Sequence, residues 1–135
     1  MTNPWDILEG DVRQVLATLP ADHFHCVVTS PPYYGLRSYL PAGHADKGLE
    51  IGGERTLAEY IDNIVAVFEG VRRVLREDGT LWCNMGDGYN GSGGLGGAGK
   101  SHTNNGGQSK PDRRAGSVEL KPKDLCGVPW RVAFA

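Results

Sequence analysis

No apolar run in this chain approaches the ~20 residues that a membrane-spanning helix needs. The opening MTNPWDILEGD has neither a basic start nor an apolar stretch of the kind that marks a secretory leader. These absences predict a cytoplasmic protein with no membrane partner. Cysteine is scarce as well: Cys26, Cys83 and Cys126 are odd in number, widely spaced and free of any C-x-x-C pairing, which excludes a disulfide frame. Cys26 and Cys83 lie in apolar runs and are predicted to be buried, reduced thiols. His23, His25 and Cys26 read H-x-H-C, but neighbouring strand residues point to opposite faces and no second ligand pair follows at a metal-binding spacing. No metal site is predicted. Charge of one sign is lacking too: 14 Lys and Arg stand against 16 Asp and Glu, a net charge of −2. The balance neither points to a polyanionic partner nor excludes one, because a local basic patch suffices for binding.

What the chain has in excess is glycine, with 20 in 135 residues, about double the usual ~7%. The length suits one domain, and 39% hydrophobic content suits a globular one. WDILE at 5–9 reads as a short strand closed by Gly10 and Asp11. Val12, Val15, Leu16 and Leu19 then follow at helical spacing until Pro20. HCVVT at 25–29 is a β-branched run that reads as a buried strand, ended by Ser30, Pro31 and Pro32 because proline cannot continue a ladder. From Arg37 to Arg55 the chain is rich in Gly, Pro and charge, a loop long enough to suggest function. The clearest helix comes next. Leu57, Ile61, Ile64, Val65, Phe68, Val71 and Leu75 form one stripe, with Thr56 and Glu59 as a capping box and Gly79 as the stop. TLWCN at 80–84 is a further strand, ending in Met85, Gly86 and Asp87.

Strands alternating with helices predict an α/β fold with a parallel sheet and right-handed βαβ connections. Ligands of such sheets bind beyond the carboxyl ends of the strands. Three tips fall there: Gly10 and Asp11, Ser30 to Tyr33, and Gly86 and Asp87.

Residues 90–117 have almost no large apolar side chains, and Lys100, Lys110, Arg113 and Arg114 stand against Asp112 alone. This composition predicts a flexible, basic loop. Within it, GLGGAGKS at 94–101 fits the P-loop pattern G-x-x-x-x-G-K-[ST]. A P-loop, however, needs a helix leaving from its Lys-Ser to supply N–H groups and dipole to the phosphates, and HTNNGGQSKPD is a poor helix former. The nucleotide-hydrolysing reading is therefore disfavoured. Three parts result: 1–89 with the proline-rich tip, the loop 90–117, and 118–135, where Pro129 suits the first turn of a helix carrying Trp130, Val132 and Phe134.

Ser30-Pro31-Pro32-Tyr33 joins four groups with separate uses. Two prolines stiffen the backbone and leave carbonyls free to accept from an amine, Ser30 offers a hydroxyl, and Tyr33 offers an aromatic face. The run HCVVTSPPYYGLR resembles motif IV of the amino-group DNA methyltransferases, which modify N4 of cytosine or N6 of adenine using S-adenosylmethionine. DILEGDVRQVLATLP resembles that family's opening strand and helix. The segment from Thr56 through GDGY at 86–89 resembles the approach to motif V, and KPKDLCGVPWRVAFA the start of a following helix. The likeness takes in most of the chain apart from the glycine-rich stretch, in the β-type order of motifs.

The resemblance implies a Rossmann-like methyltransferase fold and double-stranded DNA as the partner, with the target base flipped out. Ser30 and the Pro31 carbonyl would accept from the amine, in a grip completed by Pro32, and Tyr33 would stack on the base. Asp11 would meet the cofactor adenine, and Asp87 would border the base pocket. Arg37, Lys100, Arg113 and Arg114 would contact the DNA. Serine in place of the aspartate of D-P-P-Y favours cytosine N4, with adenine N6 as the alternative; a non-catalytic DNA-binding remnant is the reading from another class. The family's F-x-G-x-G signature is absent, as are two strands that the family places between WDILE and HCVVT. The expectation is an N-terminal portion with the central cofactor-binding strands missing, inactive alone. It would be partnered by a C-terminal half or a complementing subunit, and dimeric when complete.

Overall fold

Asp11 begins the first helix by accepting a hydrogen bond from the Arg13 N–H at 3.0 Å, satisfying one of the donors that every helix start leaves open. The computed structural model describes residues 5–90 and 120–135. Helix α1 runs Val12–Thr18, strand β1 Phe24–Thr29, helix α2 Leu57–Val74, strand β2 Leu75–Cys83 and helix α3 Val128–Phe134, with a 3₁₀ turn at Ala45–Leu49. β1 and β2 pair in parallel as a two-stranded sheet, the arrangement expected of an α/β chain.

The core is built on α2. Leu57, Tyr60, Ile61, Ile64, Val67, Val71 and Val74 are buried on its inner face, joined by Ile51, Cys126 and Val128. Val65 and Phe68, predicted for the stripe, pack at its margin, while Tyr60, Val67 and Val74 were not foreseen. The capping box forms as predicted: Glu59 N–H donates to Thr56 Oγ1 at 3.2 Å, and Thr56 N–H donates to Glu59 Oε2 at 3.0 Å. Such a cap is worth ~1 kcal/mol. At the other end, Arg73 reaches back to the carbonyls of Leu16 and Leu19, and the N–H groups of Asp22 and His23 bond to Arg73 and Val74. These ties bring the chain leaving α1 alongside the end of α2, where β1 starts.

Three sequence expectations are corrected. Residues 5–9 form no strand, and Trp5, Ile7 and Leu8 lie exposed, because no described strand offers them a ladder. α2 stops at Val74 rather than at Gly79, and Leu75 turns into extended backbone as β2 begins. The register then jumps from Phe24↔Leu75 to Cys26↔Thr80, so that residues 76–79 bulge out of the ladder. Cys26 and Cys83 are exposed, and of the three thiols Cys126 is the buried one. The cause is the narrow sheet. Parallel strands are normally covered on both faces. Here the registered pair Val28 and Trp82 stays 77% and 66% exposed, on the side where Cys26 also points.

Residues 120–126 return beside the end of β2. Cys126 N–H donates to the Gly88 carbonyl at 2.8 Å, and Asn90 N–H donates to the Asp124 carbonyl at 2.8 Å. Asn90, assigned by composition to the basic loop, is buried, with its side-chain amide donating to the Leu120 carbonyl. The GLGGAGKS stretch, Lys100, Lys110, Asp112, Arg113 and Arg114 lie outside the described residues.

Candidate active site

β1 delivers Ser30 to its carboxyl end, and the tandem prolines turn the chain there. Ser30 is exposed, while Pro31, Pro32 and Tyr33 are half-buried. Ser30 Oγ donates to Tyr33 Oη at 3.4 Å, so the hydroxyl and the ring belong to one cluster. No described residue donates to the Pro31 carbonyl. The neighbouring Pro32 carbonyl is taken, accepting from Tyr60 Oη at 2.9 Å.

β2 brings a second tip to the same place. Asn84 N–H donates to the Thr29 carbonyl at 2.9 Å, extending the ladder to the strand ends. Gly86 then lies so close to the Tyr33 ring that a β-carbon there would meet Cε2 at 2.8 Å. On the opposite side Gly52, at φ +92°, donates room to the Tyr33 carbonyl, which a β-carbon would approach to 2.9 Å. The Gly52 carbonyl accepts from Gly35 N–H at 2.8 Å. Only glycine suits this combination of left-handed backbone and close approach. Tyr33, Tyr34, Leu36, Gly86, Asp87, Gly88, Cys126 and Val128 thus surround a cavity of about 50 Å³, with room for a water or two.

The loop after the tip is fastened by one ion pair. Glu50 accepts from the N–H groups of Tyr39 and Leu40, the latter at 3.0 Å, and from Ser38 Oγ at 3.3 Å. Lys47 Nζ pairs with Glu50 and donates to the Leu40 carbonyl at 2.7 Å. Burial raises the Glu50 pKa, but the hydrogen bonds from Lys47, Tyr39 and Leu40 outweigh it and leave the carboxyl below its usual value.

The predicted site residues separate into groups. Ser30, Pro31, Pro32 and Tyr33 stand together with Asp87 nearby. Asp87 is fully engaged: its carboxylate accepts from Gly127 N–H at 3.0 Å, Val128 N–H at 3.1 Å and Gly88 N–H at 2.8 Å. It holds the start of α3 against the pocket. Asp11 lies apart at the start of α1, clasped by Arg13 Nε at 3.0 Å and Nη2 at 2.8 Å, which keeps its carboxyl below the usual range. Arg37 is exposed on the loop and does not line the pocket. Tyr60 and Gly52, which brace the tip, were not foreseen, and Gly86, expected at a strand-end tip, also packs against the Tyr33 ring. Tyr60 had a signal, since it sits at helical spacing between Leu57 and Ile64.

Among the described residues no group of three or more His, Cys, Asp or Glu side chains could hold a metal ion, and no helix is long and apolar enough to cross a membrane. The class defined by fold and tip is an α/β chain with a serine hydroxyl, an open carbonyl and an aromatic ring gathered at a parallel-strand end. Comparison with known proteins is in accord. The sequence profile of the DNA methylase family matches residues 24–121, and the chain belongs to that family of N6/N4-type enzymes. The chain is 46% identical over 132 residues to the type II methyltransferase M.XycI of Xanthomonas campestris pv. cyanopsidis, across 96% of this chain and 40% of the relative. It is 46% identical over 129 residues to M.SmaI of Serratia marcescens, and 42% over 132 residues to M.Cfr9I of Citrobacter freundii, in each case across 96% of this chain. It spans 41% and 40% of those two relatives' lengths. The fold is accordingly a partial methyltransferase fold. No solved structure shows a significant match.

Proposed function

We propose that this chain supplies the amine-gripping part of a DNA methyltransferase that methylates N4 of cytosine in double-stranded DNA. The carrying observation is the tip at Ser30 to Tyr33, where one proline carbonyl is engaged by the protein and the adjacent one is left open beside a hydroxyl and a ring.

An aromatic exocyclic amine is a weak nucleophile because its lone pair is shared with the ring. Ser30 Oγ and the Pro31 carbonyl accept its two hydrogens, which holds the nitrogen with its lone pair turned outward and stabilises the positive charge that grows there. Tyr33 stacks on the flipped base. The cavity of about 50 Å³ behind the ring is smaller than a base, so the base lies over Tyr33 rather than inside the cavity. Positioning and electrostatics carry the step, with no covalent intermediate on the protein; the amine nitrogen takes the methyl group from the sulfonium, which is released as a thioether, and gives up one of its two protons to water. Serine in place of the aspartate of D-P-P-Y, the form that the family resemblance associates with cytosine N4, supports N4 over adenine N6.

S-adenosylmethionine supplies the electrophilic methyl group. Of the described residues, Asp11 fits one contact to it: Arg13 occupies most of its carboxylate, and an acceptor position remains on Oδ2 for an amine. One contact does not make a cofactor site. The other contacts come from the rest of a longer enzyme or from a complementing subunit, which also covers Val28 and Trp82. Arg37, with Lys100, Arg113 and Arg114, meets DNA phosphates, and homodimerisation belongs to the complete enzyme.

The test is a hybrid in which this chain replaces the matching segment of the Serratia relative. Incubated with DNA and S-adenosylmethionine, it should yield N4-methylcytosine on nucleoside mass spectrometry, and Ser30→Ala should abolish the product while DNA binding persists. N6-methyladenine instead would overturn the base assignment. A hybrid that binds DNA and S-adenosylmethionine yet forms neither product would overturn the catalytic reading in favour of a DNA-binding remnant.

A further inference from the structure

Tandem prolines leave a turn with few internal controls. Pro31 and Pro32 have no N–H to donate, and their rings fix φ. The ψ of Pro31 is restricted by the proline that follows it, which settles the direction of its open carbonyl. The remaining freedom lies in the peptide plane between Pro32 and Tyr33, and that plane decides where the Tyr33 ring stands relative to the Pro31 carbonyl.

This plane has one partner among the described residues. Tyr60, closing the first turn of α2 and 0% exposed, donates its hydroxyl to the Pro32 carbonyl at 2.9 Å. The Tyr60 ring is locked in turn by the Tyr34 ring, with centroids 5.3 Å apart, and by the core around Ile64. Burial pushes the phenol well above its ordinary pKa, which favours the protonated, donating hydroxyl. A buried tyrosine hydroxyl needs some acceptor, and core packing alone does not require that the acceptor be the carbonyl inside the catalytic turn.

We infer that Tyr60 is a positioning residue for methyl transfer, its hydroxyl holding the Pro32 carbonyl inward so that the Pro31 carbonyl and the Tyr33 ring face the target base together. This rests on the amine-gripping role proposed above for Ser30 to Tyr33. Tyr60 does not touch the base. Its effect falls on the rate of the chemical step rather than on the capture of DNA.

Tyr60→Phe removes the hydroxyl and keeps the ring. In the hybrid enzyme, single-turnover methyl transfer at saturating DNA separates rate from the fraction of competent enzyme. The rate constant should fall by roughly 10- to 100-fold, the effect of a displacement near 1 Å at a reacting site, with burst amplitude and DNA affinity unchanged. A lower amplitude with an unchanged rate constant would make Tyr60 a structural residue only and overturn the inference. An unchanged rate and amplitude, with Ser30→Ala inactive, would overturn it while leaving the role of Ser30 to Tyr33 standing. Full activity of Ser30→Ala would remove both.

Discussion

Gly86→Ala is the substitution with the most direct geometric consequence. Gly86 has ordinary backbone torsion, so alanine meets no conformational barrier there and the effect is one of space alone. The new methyl would stand 2.8 Å from Tyr33 Cε2, 3.1 Å from Cδ2 and 3.4 Å from Cζ, against a rigid ring edge rather than a flexible chain end. Carbon atoms rest at ~3.5–4.0 Å, so the ring must retreat by roughly 0.7–1.2 Å. Retreat toward Pro32 is opposed by the Tyr60 hydrogen bond, and retreat of the Tyr33 carbonyl is opposed by Gly52. The contact between Tyr33 Oη and Ser30 Oγ, already at 3.4 Å, is the one free to break. Overpacking of this kind costs ~1–3 kcal/mol. Methyl transfer in the hybrid should drop about 100-fold, because the Tyr33 ring no longer registers with Ser30 Oγ and the Pro31 carbonyl, the groups proposed to grip the amine. Thermal unfolding gives the first quantity and single-turnover transfer the second. Loss of stability with full retention of rate would refute the link between Gly86 and the orientation of Tyr33.

Two further predictions concern the supports of the site. Asp87→Ala leaves the N–H groups of Gly127 and Val128 without their acceptor and should cost ~1–2 kcal/mol; hydrogen exchange should quicken across Val128–Phe134 and stay slow in β1, and equal loss in both would refute a local cap. Glu50 carries an acid dependence. Because its pKa is lowered in the fold, its contribution is present above the unfolded value near ~4.3 and is lost as pH falls through the lower folded value. Protease resistance of the loop between Leu36 and Glu50 should therefore hold at neutral pH and fail in acid, and Glu50→Gln should weaken it at neutral pH and abolish its acid dependence.

Local signals carried much of the sequence reading. The capping box, the start of the α2 stripe and the strand before Ser30 all act within a few residues and form where the pattern places them, although α2 ends at Val74 and the strand expected to be buried has no buried residue. The errors fall where an outcome depends on distant partners. WDILE has the composition of a strand, but a strand exists only through a neighbour's hydrogen bonds. Cys26 and Cys83 sit in apolar runs, yet burial requires a second layer that the described residues do not provide. The motif at Ser30 was legible because its chemistry is contiguous. Its supports Tyr60 and Gly52 were not, and the contact of Gly86 with Tyr33 was not either, since these residues come from three separate stretches and meet only after the chain has closed around the tip.

The jump in register between Phe24 and Cys26 bears on how this segment can change length. Beyond Cys26↔Thr80 the pairing runs unbroken through Thr29↔Cys83 and on to the Asn84 N–H. One residue added or removed within 80–83 would turn every later side chain of β2 to the opposite face, and one within 80–86 would carry Gly86 away from the Tyr33 ring. Residues 76–79, already outside the ladder, can absorb an insertion without disturbing that alignment. Length variation between homologous genes should therefore collect at 76–79 and be purged from 80–86, a pattern of insertions and deletions written by strand pairing rather than by chemistry.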